Sequence, residues 1–307
     1  MVPAVIPAAG KRKYHSTDSA YALPNDAIEK DRLDAQAAAI VEMIGGVPVL
    51  APITAMQSTA VKAVDVGCGT GAATVQIANL LPSATVYGLD ISPVAESTKN
   101  TAPSNVAWVV GNILHVDHSN SDEDDIMTRK ICAPGSIDYV FGRMLFLGID
   151  NWPRYFSVAA RSLTPGGFIE HQDLDWKFYR ARTDECLSDN WEWYQKVVSS
   201  IEKLGLSTQA GSSAKYAMEK EGLEIISVQT FEFSFVPSAK TPRSQMMGMY
   251  VQEKLVPQYP ELLSKLLGTG ITQDELSRLT KACLRDIVSE EGIYQKYTVT
   301  VAKKRTI

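Results

Sequence analysis

Histidine and cysteine are scarce in this chain, four of each among 307 residues. The cysteines, Cys68, Cys132, Cys186 and Cys283, are scattered, which excludes a disulfide framework and the paired spacing of a thiolate metal site. The histidines show no paired spacing either, so no bound metal is expected. An excess of positive charge is missing as well: the formal net charge is -5. Binding to nucleic acid normally needs a basic face, so no nucleic-acid partner is expected. No apolar run approaches the length of a membrane span. The N-terminus lacks the charged-then-apolar layout of a signal peptide, so a cytoplasmic protein is expected, with no membrane partner. The triplet Lys11-Arg12-Lys13 is the one feature that makes the nucleus an alternative. Repeats and heptads are absent. What remains is an ordinary globular composition, 45% hydrophobic, enough for one large α/β domain.

Residues 1–20 carry Pro, Ala and Ser and are expected to form a mobile arm ahead of a single domain over 21–307. From Pro24 the pattern turns helical, with Asn25 or Asp26 as cap and Ala27, Ile28, Leu33, Ala37 and Ile40 as the apolar stripe. Strands and helices then alternate. Strands are expected at Val61–Val66, Thr85–Leu89, Val106–Val110, Ile137–Phe141 and Phe168–Gln172. Helices are expected at Gly71–Leu81, Ser92–Thr101 and Trp152–Leu163. This alternation predicts βαβ units and a parallel sheet. After Asp175 a long helix is expected over Thr183–Leu204. Two alternating strands, Ile225–Val236 and Ile293–Ala302, are expected to pair antiparallel. The helical stretch between them, 241–290, is expected to form a cap together with 21–45. The acidic run Asp122-Glu123-Asp124-Asp125 reads as a solvated loop.

The chemistry-bearing signal is Val64-Asp65-Val66-Gly67-Cys68-Gly69-Thr70-Gly71, where a strand turns into a helix through glycines. Without a Cβ, such a turn lets a ligand lie on bare backbone, facing the positive end of the helix that follows. In an open parallel sheet the ligand sits beyond the C-terminal strand ends. The second strand ends at Asp90, whose carboxylate suits the two hydroxyls of a ribose. The third ends at Asn112 and Ile113, an amide for an adenine edge and an apolar face for its ring. A dinucleotide is the rival ligand, since Gly67, Gly69 and Ala72 fit the looser fingerprint. Asp65 opposes it, because a carboxylate there suits an ammonium group and repels a pyrophosphate.

The motifs VDVGCGTG, YGLDIS, VVGNIL, IDYVFGRM and LTPGGFIE, in this order over about Val61–Asp175, resemble the class I S-adenosylmethionine-dependent methyltransferases. The leading segment Tyr21-Ala22-Leu23-Pro24-Asn25-Asp26 with Glu29 and Asp31-Arg32-Leu33-Asp34 is similar to that of the fungal LaeA/UMTA-like methyltransferases of secondary metabolism. So are Gly142-Arg143-Met144-Leu145, Asp150-Asn151-Trp152-Pro153 and the Gly-Gly-Phe-Ile-Glu strand. That resemblance implies a Rossmann-like seven-stranded, mostly parallel sheet with helices on both faces, a final antiparallel hairpin and a helical cap. The cofactor it implies is S-adenosylmethionine. Asp65, Gly67 and Gly69 would hold the methionyl part, Asp90 the ribose, and Ile91, Asn112 and Ile113 the adenine. Gly142 or Arg143 would line the methionyl end, and Tyr21 and Arg32 would close over the cofactor. Asn112 stands where the family often has Asp; its carbonyl oxygen still accepts a hydrogen bond.

Methyl transfer from a sulfonium mainly needs alignment, whereas a phenol or alcohol acceptor also gains from a base. His171, at the active end of the fifth strand, is the expected base. Asp173 or Asp175 is expected to orient a substrate amine or ammonium. Trp152, Trp176, Met246, Met249 and Tyr250 are expected to wall an apolar acceptor pocket. The expected activity is O-, N- or S-methylation of a small, largely apolar or aromatic metabolite by a monomer or homodimer. Two alternatives share these motifs: a LaeA-like regulatory protein, and a cofactor-bound catalyst of a cyclisation without methyl transfer.

Overall fold

The computed structural model describes residues 27–56, 60–116, 126–238, 244–268 and 270–306. Tyr21, the arm over 1–20 and the acidic run over 122–125 lie outside these.

Five strands run parallel: β1 (Lys62–Val66), β2 (Thr85–Asp90), β3 (Val106–Val110), β4 (Ile137–Arg143) and β5 (Leu163–Leu174). The last two long strands, β8 (Glu224–Ser234) and β9 (Ile293–Lys303), are antiparallel to each other, and β9 is antiparallel to β5. The seven long strands lie in the order β3-β2-β1-β4-β5-β9-β8. Two additional two-residue strands, β6 (Tyr179–Arg180) and β7 (Glu185–Cys186), extend the sheet beyond the seven expected.

Helices cover both faces, and two apolar clusters record this. On one face lie α1 (Ala27–Met43), α2 (Ala72–Leu80), α6 (Glu192–Lys203), α8 (Gln245–Tyr250), α9 (Tyr259–Leu267) and α10 (Gln273–Asp286). On the other lie α4 (Ile126–Ile131) against β3, α5 (Trp152–Ser162) against β5, and α7 (Ala210–Lys220) against β5, β8 and β9. A short helix, α3 (Glu96–Thr101), follows β2 and buries no residue. Strand alternation sorts the strand residues between these faces. Tyr139, Phe141 and Leu174 belong to the first cluster, Val140 and Ile169 to the second.

The long helix expected over Thr183–Leu204 is replaced by a tight turn, the β6–β7 ladder and the shorter α6. Asp184 takes a left-handed conformation (φ 57) that no α-helix continues through. Its carboxylate is held there by the Tyr294 hydroxyl and the Lys296 ammonium, 2.5 and 2.8 Å away. The cap also departs from plain α-helix. After α8 the chain widens to a π-helical turn over Val251–Leu255, then narrows to a 3₁₀ turn over Val256–Gln258. Pro257, in that turn, has no N–H to give to a regular ladder.

Candidate active site

The glycine turn leaving β1 is left-handed at three positions: φ is 66° at Gly67, 56° at Gly69 and 85° at Gly71. A residue with a Cβ loses about 1–2 kcal/mol at each such position. Space matters as much. A Cβ on Gly67 would lie 2.4 Å from Leu145 Cδ2, and one on Gly71 2.4 Å from the Trp108 ring. The Gly67 and Cys68 amides donate to Leu89 O at 2.8 and 3.1 Å, which ties the turn to β2. Asp90, ending β2, accepts from the amides of Gly69 (2.8 Å) and Ser92 (2.9 Å), one on each carboxylate oxygen. A carboxylate offers two acceptor positions on each oxygen.

Asp65 is buried beneath the turn and accepts the Thr74 hydroxyl at 2.6 Å. Burial pushes its carboxyl up to about 6, against the opposing pulls of that hydroxyl and of the Arg143 charge. The Cys68 thiol is buried too and is pushed well above its ordinary range, so it stays protonated. Arg143 ends β4. Its Nη1 is buried and meets no hydrogen-bond partner among the described residues. Beyond it Met144 adopts φ 55, a conformation unusual for a side chain of this kind and common at functional sites.

Helix α1 roofs this turn. Its buried stripe has a polar half, Glu29, Arg32 and Gln36, and an apolar half, Ala37, Ile40 and Met43. Arg32 forks onto both carboxylate oxygens of Glu29 (2.6 and 2.9 Å) and donates to the Tyr250 hydroxyl at 2.6 Å. Gln36 donates to the same hydroxyl at 3.1 Å. Two more ties join α1 to its surroundings: the Thr70 hydroxyl donates to Asp34 at 2.6 Å, and Lys254 pairs with Asp31. Arg32 thus lines the cavity and also locks α1 to α8.

A cavity of about 230 Å³ lies between the strand ends and this roof. Its floor is the glycine turn with Asp65 and Asp90, and Ile91, Asn112 and Ile113 line one end. Asn112 Oδ1 accepts from the Leu114 amide at 3.0 Å, which spends one acceptor position of the expected adenine contact. The other end is apolar, walled by Phe146, Leu174, Trp176, Phe233, Tyr259 and Leu262. Two buried amide atoms there lack partners among the described residues, Gln295 Nε2 and Gln258 Oε1.

Several expected site residues fall elsewhere. His171 is fully buried on the opposite face of β5, ringed by Trp152, Tyr155 and Phe156 with centroids 5.3–6.0 Å away. Burial drives its pKa down to about 3, against a smaller pull from the Ala210 backbone. It does not line the cavity, so it is not placed to serve as a base there. Asp173 shares that face, with Oδ2 3.6 Å from His171 Nε2. Burial raises it to about 8, so neither member of the pair is charged at neutral pH. Its carboxylate accepts from the amides of Leu145 (2.8 Å) and Leu174 (2.9 Å). Asp173 therefore orients the loop that carries Leu145 and Phe146, not a substrate amine.

Gly142, opposite His171 in register, also faces away; a Cβ there would lie 2.4 Å from the Tyr155 hydroxyl. Trp152 belongs to the same rear cluster. Met246 and Met249 are exposed, 47% and 59%. Tyr250 is spent on Arg32 and Gln36 and does not line the cavity. Of the five expected pocket residues, only Trp176 lines it. Phe146, Phe233, Gln258, Tyr259 and Gln295 were not anticipated. The alternation Phe231-Glu232-Phe233-Ser234-Phe235 was the one signal that pointed to any of them.

Glycines at a strand end, a carboxylate for an ammonium, a second for a ribose and a roofed apolar annex define the site of a methyl-donor enzyme. Residues 64–169 match the model of a methyltransferase domain family. Across its whole length the chain is similar to methyltransferase pytC of Aspergillus terreus, 25% identical over 301 residues, 95% of this chain and 86% of that protein. It is also similar to the secondary metabolism regulator laeA of Coprinopsis cinerea, 24% identical over 283 residues, 88% of this chain and 66% of that one. A third relative, methyltransferase str3 of Strobilurus tenacellus, is 26% identical over 224 residues, 72% of this chain and 73% of its own. Residues 64–169 therefore carry a methyltransferase domain, and the relatives that match most of the chain are fungal proteins named as methyltransferases or as regulators of secondary metabolism.

Proposed function

We propose that the protein methylates a small, largely apolar metabolite held in the annex beside the glycine turn. The observation that carries this reading is the apolar end of the cavity, lined by Phe233, Tyr259 and Leu262. A protein tail would need an open groove instead.

The described residues fit the cofactor. Gly69 leaves its Cβ position open toward the roof, where the nearest atom, Leu33 Cδ1, would be 3.8 Å away. Asp65 supplies a buried anion for an ammonium, Asp90 supplies acceptors for a ribose, and Ile91 and Ile113 supply apolar cover. When bound, the cofactor supplies an activated methyl group on a sulfonium. The chain's own part is alignment and exclusion of water, which the ties of Arg32, Asp34 and Asp31 to α8, the turn and Lys254 support. Asp173 positions the Leu145–Phe146 loop from behind.

Titration with S-adenosylhomocysteine, followed by assay of a panel of aromatic acids, phenols, amines and thiols for methyl transfer, tests the reading. Release of S-adenosylhomocysteine with a methylated product is the expected result. Tight cofactor binding with no turnover of any small acceptor would favour the regulatory role for which the laeA relatives are named. Turnover of a substrate without release of S-adenosylhomocysteine would favour the cyclisation alternative.

A further inference from the structure

Among the described residues, the apolar end of the cavity carries no base. Its polar groups are the amides Gln258 and Gln295 and the Tyr259 phenol. The phenol is buried and held well above its ordinary range. Elsewhere along the lining each carboxylate already has a task. Glu29 is forked by Arg32, Asp65 takes the Thr74 hydroxyl, and Asp90 takes two backbone amides. Neither described histidine, His115 nor His171, lines the cavity. An acceptor that must lose a proton to react finds no group here to receive it. A suitable acceptor arrives already nucleophilic.

Of the cations on the lining, Arg32 is paired with Glu29, Lys30 lies in the first turn of α1, and Arg143, at the end of β4, has capacity to spare. Arg143 makes no ion pair among the described residues, and its Nη1 is buried without a partner. A guanidinium in that state gains strongly from a carboxylate, which it grips in a planar fork. It lies on the face of the sheet that carries Phe141, with its Cζ 5.9 Å from that ring. Alternation puts Leu174 and Tyr297 on the same face. Gln295 Nε2 adds a second unspent donor in the annex.

We propose that the methyl acceptor is an apolar carboxylic acid, bound as its carboxylate by Arg143 and methylated on oxygen to give the methyl ester. This rests on reading the annex as a small-molecule acceptor site and names the class of acceptor. The reaction balances without a base. A carboxylate oxygen forms the new bond to the methyl carbon as the carbon–sulfur bond breaks, and that electron pair stays on sulfur. The sulfonium becomes a neutral thioether, the carboxylate a neutral ester, and no proton moves.

The test uses 2-naphthoate, its methyl ester and 2-naphthol as probes on the full chain saturated with S-adenosylhomocysteine, read by calorimetry. The acid should bind at least tenfold more tightly than the ester. Arg143→Met should erase that preference, Arg143→Lys should retain part of it, and both should keep S-adenosylhomocysteine affinity within about twofold. With S-adenosylmethionine, 2-naphthoate should give its methyl ester, with kcat/KM flat between about pH 6.5 and 7.5, below the range where Asp173 ionises. Loss of S-adenosylhomocysteine affinity in Arg143→Met would overturn the proposal, since Arg143 would then serve the cofactor's own carboxylate. So would methylation of 2-naphthol with none of 2-naphthoate, a result that leaves the small-molecule reading intact. If S-adenosylhomocysteine binds and no probe binds or reacts, the small-molecule reading fails, and this proposal fails with it.

Discussion

Replacing Glu170 by Gln should loosen the roof of the active site without touching the cavity. Glu170 lies on the α1 side of β5, fully buried, and its two oxygens collect four donors. The amides of Leu50 and Ala51 reach it at 2.7–3.0 Å, the Tyr139 hydroxyl at 3.1 Å and the Gln172 amide at 2.6 Å. Two of these donors come from the segment that follows α1, so this carboxylate ties α1 to the sheet. Burial holds its carboxyl above the usual range, and the hydrogen bonds pull the other way. A glutamine keeps the shape and replaces one acceptor oxygen by an NH₂ group that confronts N–H donors. A hydrogen bond to a charged group contributes about 1.5–3 kcal/mol, and a stranded buried donor costs about 1–3 kcal/mol. Removing a buried charge returns part of this. The expected net loss is about 2–3 kcal/mol in urea unfolding, with an unchanged m-value. Amide exchange at Leu50 and Ala51 should accelerate, and S-adenosylhomocysteine affinity should fall because Arg32 and Leu33 ride on α1. A loss below about 0.5 kcal/mol, the range of an ordinary surface change, would refute the role of Glu170 as the anchor.

Three further outcomes can be checked. Gly69→Val should abolish S-adenosylhomocysteine binding in calorimetry, because a β-branched residue at φ 56 is strained and fills the open side of the turn; unchanged affinity would move the ligand off the turn. S-adenosylhomocysteine affinity should fall as pH drops through about 6, where Asp65 takes up a proton in the free protein; the loss approaches roughly tenfold per pH unit below that point, and Asp65→Asn should flatten it. His171→Leu should leave the pH profile of turnover in place and act on stability instead. The folded pKa of His171 is depressed to about 3 from 6.5, so the unfolded chain takes up a proton first and stability drains as pH falls below 6.5. That drain is up to about 1.4 kcal/mol per pH unit, and the variant should lack it in urea unfolding compared at pH 5 and 7; a shifted turnover profile would restore the catalytic reading.

The parallel half of the sheet was legible because each strand is a short apolar run closed by glycine or by a helix start. Val106–Val110 coincides with the expected bounds, and β1 and β2 differ by one residue. The late hairpin was legible from alternation. Misreadings arose where tertiary contacts override local pattern. Asp184 turns left-handed because Tyr294 and Lys296, more than a hundred residues away, hold its carboxylate. Helix α7 was passed over although Ala210, Ala214 and Met218 form its buried stripe and Gly222 (φ 78) ends it. In the site, the residues expected to hold the cofactor follow the chain's own order, strand end by strand end, and most of them line one cavity. The walls of the proposed acceptor annex come from the loop after β4, from β5, β8 and β9, and from α9 with the turn before it, which meet only once the sheet is closed.

The fifth strand shows why alternation must be read together with a choice of face. Phe168, Glu170, Gln172 and Leu174 share one side, Ile169, His171 and Asp173 the other, and the cap covers only the first. The side that looked reactive, a histidine beside an aspartate, is sealed behind α5 among Trp152, Tyr155 and Phe156. The side that looked structural holds up the roof: Glu170 anchors the segment after α1, and Gln172 joins Pro48 O (3.1 Å) to the Tyr297 hydroxyl (3.0 Å). Shifting the strand by one residue would exchange the two sets. Asp173 still reaches the chemistry, through two backbone amides rather than by contact. Because it fixes the Leu145 amide, it sets where Phe146 stands in the wall of the cavity proposed for the acceptor. Asp173→Asn, nearly isosteric and still able to accept from one amide, should therefore raise KM for the acceptor more than it lowers S-adenosylhomocysteine affinity. Equal losses in both would mean that the loop serves the cofactor alone.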